Sequence, residues 1–106
     1  MSTVDLRLEA FCSWLCERES EVVGYPGIWF NDPLAEWISQ QVGRVCGVEG
    51  KVYGPAAWDM CRWWWLPLWA QLFVAWTDKY AKRAMTGEQA FAILAEIERR
   101  HQRLEW

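Results

Sequence analysis

Four cysteines and one histidine are the side chains here best suited to hold a metal or act as a nucleophilic pair. Cys12 and Cys16 stand four residues apart, on one face of any helix that contains both, while Cys46 and Cys61 are distant in sequence. Four thiolates, or three with His101, have the donor set for zinc or an iron–sulfur cluster. The chain lacks the compact pair of cysteines two residues apart that marks such centres. These cysteines fall on apolar stripes, where a thiol serves as a small packing group. A metal or redox site at Cys12, Cys16, Cys46 and Cys61 is therefore the weak alternative, and no cofactor is expected.

A cysteine–histidine nucleophilic pair would have to use His101. It lies on the apolar stripe of a C-terminal helix, which suits a partly buried structural histidine. Asp32, Glu36, Asp59 and Asp78 supply carboxylates, but no two have a spacing diagnostic of acid–base work, and Asp32 is better explained as a helix cap. No enzymatic activity is expected.

The aromatic residues say more. Ten of the 106 residues are tryptophan, six of them between Trp58 and Trp76. Each can bury roughly 150–250 Å² and carries one N–H that needs an acceptor. On a helix, Trp63, Trp64 and Trp65 sweep about 200° of surface, wider than the stripe a core-facing helix presents. At least one of them is expected to leave the core. The expected contact patch is Trp63, Trp64 and Trp69, with Arg62 and Asp59 as a polar rim, because aromatic anchors dominate binding hot spots. This points to a small adaptor, regulator or inhibitor that binds another protein or a second copy of itself. The alternative is a carrier of a hydrophobic or aromatic ligand, such as a pigment, in a Trp-lined pocket. Stacking of single-stranded nucleic acid is disfavoured by the net charge of −3 and by the lack of basic residues from Trp63 to Trp76.

The elements that must position these residues read as helices. Ser2 and Asp5 stand at capping-box distance, and Val4, Leu8, Phe11, Cys12, Leu15 and Cys16 recur at helical spacing, predicting a helix over 3–20. Residues 21–30, with Gly24, Pro26 and Gly27, form a connecting loop with apolar anchors. Asn31-Asp32-Pro33 starts a second helix, whose stripe runs from Leu34 through Trp37, Ile38 and Val42 and ends at Gly43 or Gly47. Val45 to Tyr53 reads as an ordered loop with room for a short β-ribbon around Glu49-Gly50. Pro67 divides the aromatic segment into helices over 55–65 and 67–83. Thr86-Gly87-Glu88-Gln89 is a capping box opening the last helix, with Ala90, Ile93, Leu94 and Ile97 inward. The expected architecture is all-α, a compact bundle of four or five helices in one domain spanning 1–106.

Composition agrees with a globular domain: 53% hydrophobic, 24% charged. The first residues lack the basic start and apolar run of a secretory signal, so reduced thiols and a soluble cytoplasmic protein are expected. The 15 uncharged residues from Trp63 to Thr77 would span about 22 Å as a helix, short of the ~30 Å hydrocarbon core. That excludes a transmembrane segment and leaves contact with a membrane surface as the weak membrane mode.

Overall fold

The computed structural model describes residues 4–55, 63–80 and 83–101. It corrects the all-α expectation: the fold is α+β, with four helices and two small antiparallel sheets among the described residues. Helix α1 spans Leu8–Cys16, strand β1 Val22–Gly24, helix α2 Pro33–Val42, and strands β2 and β3 Cys46–Glu49 and Val52–Pro55. Strand β4 is Trp64–Trp65, helix α3 Leu68–Thr77, strand β5 Met85–Thr86 and helix α4 Gly87–Arg100. Strands β2, β3 and β4 form one sheet in that order, and β1 pairs with β5 in the other.

The aromatic segment accounts for much of the difference. Trp64 and Trp65 pair with Tyr53 and Val52 as an extended strand instead of closing a helix. Of the rest of the helix expected over 55–65, Pro55 ends β3, Trp63 leads into β4 without helical structure, and residues 56–62 lie outside the described residues. The short ribbon around Glu49-Gly50 is a full hairpin, and Gly50 supplies the positive φ of 62° that its two-residue turn demands. Two strands alone would be marginal, and the third strand and the packing of α2 against β2 support them. Ser39 ties the two together, accepting from the Cys46 N–H at 2.8 Å and donating to the Cys46 carbonyl at 3.3 Å.

Helix α1 is shorter than its stripe suggests. Ahead of it, the Gln41 side chain accepts from the Asp5 N–H at 2.8 Å and donates to the Asp5 carbonyl at 3.0 Å. This holds the leading segment extended along α2. Helix α3 begins at Leu68, directly after Pro67, and runs into a 3-10 turn over Asp78–Tyr80. The capping box of α4 is present in both directions: Gln89 N–H donates to Thr86 Oγ1, and Thr86 N–H to Gln89 Oε1.

Phe11, fully buried, is the hub of the core. Its ring meets Trp37 at 4.8 Å, Phe73 edge-on at 5.3 Å, Trp69 at 5.4 Å and Trp14 at 5.9 Å. Aromatic pairs at these separations add about 0.5–1.5 kcal/mol each beyond burial. Trp69 donates to the Leu6 carbonyl at 3.0 Å and Trp14 to Gln40 Oε1 at 2.9 Å, so both buried indoles keep their hydrogen bonds. Helix α4 closes the remaining side against α1 and α3.

Candidate functional site

Gly47 and Gly54 are direct cross-strand partners in the β2–β3 hairpin. Directly opposed residues of an antiparallel pair point to the same face, so two missing side chains make one flat window in the sheet. Two indoles fill it. A Cβ at Gly47 would lie 2.5 Å from Cζ3 of Trp29, and a Cβ at Gly54 would lie 2.5 Å from Cγ of Trp63. The two rings meet at 6.2 Å, and Phe30 stands edge-on to Trp29 at 5.4 Å. The loop carrying Trp29 is pinned to β2, with Val48 N–H donating to the Trp29 carbonyl at 2.6 Å.

Side-chain alternation adds Trp65, which opposes Val52 and so lies on the face of Gly54 and Gly47. Trp64 takes the other face, tilted over Tyr53 at 5.8 Å. That inner face carries buried Cys46 and Val48 beneath α2. The outer face thus bears several aromatic side chains open to solvent: Trp29 is 42% exposed, Phe30 48% and Trp65 72%. Trp63 is half-buried, and its indole N–H meets no acceptor among the described residues.

Of the expected patch, Trp63 and Trp64 are at this sheet edge, but Trp69 is not available to a partner. At 1% exposure it belongs to the core, because α3 turns it onto Phe11 and Trp37. Arg62 and Asp59 lie outside the described residues. Trp29, Phe30 and Trp65 complete the layer. The signal for a seat such as the one Trp29 fills was the glycine pair: Gly47 and Gly54 are equidistant from the Gly50-Lys51 turn, so any two-residue hairpin there opposes them.

No family model, curated protein or solved structure matches this chain.

The reactive side chains are scattered. Among the described residues no three of His, Cys, Asp and Glu gather as a metal site, and Cys61 of the weak alternative lies outside them. Burial pushes the Cys12 thiol up to about 11, with Cys16 and Glu98 adding to it, and burial also raises Cys46. These thiols stay protonated near neutrality, the form that neither attacks nor ligates well. His101 is exposed and not partly buried as expected, with its ring edge-on to Trp76 at 6.4 Å. No helix among the described residues is long and apolar enough to cross a membrane.

Proposed function

We propose that this protein is a binding module that docks a protein partner through the aromatic layer of Trp29, Phe30, Trp63 and Trp65, with Trp64 at its edge. The supporting observation is the glycine window, which seats Trp29 and Trp63 against the sheet while Trp29, Phe30 and Trp65 keep surface in water. Trp65 alone leaves on the order of 150 Å² exposed, and covering it gives roughly 3–4 kcal/mol. Indoles held by a sheet lose little conformational freedom on binding, which suits them as anchors. The partner is another protein or a second copy of this chain, and the face acts by adaptor, regulatory or inhibitory contact.

The test is a photo-crosslinking amino acid placed at position 49, an exposed position on the same face as Trp65, with position 91 on exposed α4 as the control site. Sedimentation velocity of the purified chain runs beside it. The expected result is a discrete crosslinked complex from position 49 and none from position 91. Trp29→Ala should weaken that complex about tenfold or more with unchanged circular dichroism. Equal crosslinking from both positions, or a complex indifferent to Trp29→Ala, would overturn the assignment.

A further inference from the structure

A second feature lies away from the aromatic sheet, where α3 and its 3-10 turn run past α4. A cleft of about 560 Å³ opens between them, within the size range of small-molecule sites. Its apolar lining includes Met85 and Ile93, both buried, and Trp76. Tyr80 lines it as well and is partly exposed.

The charges at this cleft run against the sign of the whole molecule. Among the described residues Lys79, Arg83 and Arg100 line it against one carboxylate, Glu96, in a chain whose net charge is −3. Glu96 is engaged by Arg99 and, at 3.0 Å, by Arg100. Lys79 Nζ stands 4.9 Å from the centre of the Trp76 ring, and the Arg100 guanidinium stands 5.5 Å from it. Cations held beside an indole keep their N–H groups in position for an anion.

We propose that this cleft binds a small amphipathic anion: an aromatic or aliphatic body carrying one carboxylate, sulfonate or phosphate. The body lies along Trp76, Met85 and Ile93, and the acid group meets Lys79 and Arg83 at the rim. An apolar lining with a few convergent polar groups is the usual makeup of a small-molecule site. The site is independent of the aromatic sheet, so either assignment can fail without the other.

The test uses two probes with the same fused-ring body. One is 1-anilinonaphthalene-8-sulfonate, and the other is N-phenyl-1-naphthylamine, which lacks the sulfonate. Binding to the full chain is followed by probe fluorescence and by calorimetry. The charge-reversed Lys79→Glu/Arg83→Glu variant, altered only at exposed rim positions, should bind the sulfonate at least about tenfold more weakly and the neutral probe unchanged. Trp76→Leu should weaken both probes, whereas Trp65→Ala should weaken neither. Loss of sulfonate binding in Trp65→Ala, unchanged sulfonate binding in the rim variant, an equal loss of both probes in that variant, or no binding to the wild-type chain would each overturn the site. Inorganic phosphate at millimolar concentration should not displace the probe. Displacement would show that the cleft reads a bare anion and would overturn the amphiphile assignment.

Discussion

Asp32 shows how a single residue can set a fold's response to pH. It caps α2, its Oδ1 accepting from the Ala35 N–H at 2.7 Å, and that position buries it. Burial is the largest influence on its carboxyl and pushes it up to about 7; Asp78 and Glu36 add to the rise, while the backbone N–H groups of Ala35 and Leu34 oppose it. The unfolded chain ionises near 3.8, so between about pH 4 and 7 the native state holds a proton that the unfolded state has released. Stability from this group is therefore complete below about pH 4 and falls as pH rises through 7, by up to about 1.4 kcal/mol per pH unit. Asp5 and Glu96, each held near 2 by neighbouring arginines, act in the opposite sense, losing their contribution only as pH falls from about 4 toward 2. Asp32→Asn keeps the cap acceptor and removes the proton. It should flatten stability between pH 4 and 7 and melt above the wild type at pH 8. Urea titrations at pH 4.5, 6 and 8 check this, and a variant with the wild-type slope would place the pH dependence elsewhere.

At the scale of elements, legibility followed how local the deciding interaction was. The starts of α2 and α4 were readable because Asp32-Pro33 and Thr86 with Gln89 satisfy helix N–H groups within one turn. The α4 stripe of Ala90, Ile93, Leu94 and Ile97 was likewise its own signal. Strand β4 was not readable, since Trp64-Trp65 is extended only through pairing with Tyr53 and Val52. The pairing of β1 with β5 joins residues about sixty positions apart and left no local mark in either segment. The expected site failed at Trp69 for a related reason: helical spacing shows which residues share a face, but not which face the core takes. The glycine window is a contact between elements with a direct test. Gly54→Ala puts a methyl group where the Trp63 ring lies, so the ring or the strand must give way. The expected cost is about 1–3 kcal/mol, with a red shift in tryptophan emission as the layer lifts into water. Val52→Ala, on the same strand without that overlap, should show no such shift. A Gly54→Ala protein with wild-type stability and emission would mean the indoles do not rest on the sheet.

Across the described molecule, the described tryptophans divide into populations with different work. Trp14, Trp37 and Trp69 surround Phe11 and join α1, α2 and α3 into one core. Trp29, Trp63, Trp64 and Trp65 belong to the three-stranded sheet, and Trp76 walls the cleft beside α4. The same residue type therefore has opposite consequences when removed. Trp69→Ala leaves a cavity beside Phe11 and frees the Leu6 carbonyl, costing about 3–5 kcal/mol. In a domain of this size that lowers Tm by more than about 10 °C. Trp65→Ala removes a ring that is 72% exposed, and such surface changes stay within about 0.5 kcal/mol. Its Tm should match the wild type within a few degrees while partner binding falls. Thermal melts of both variants at one pH, followed by circular dichroism, separate the roles. If Trp65→Ala melted as low as Trp69→Ala, the outer layer would be part of the core, and its aromatic rings would hold the sheet together instead of offering it to a partner.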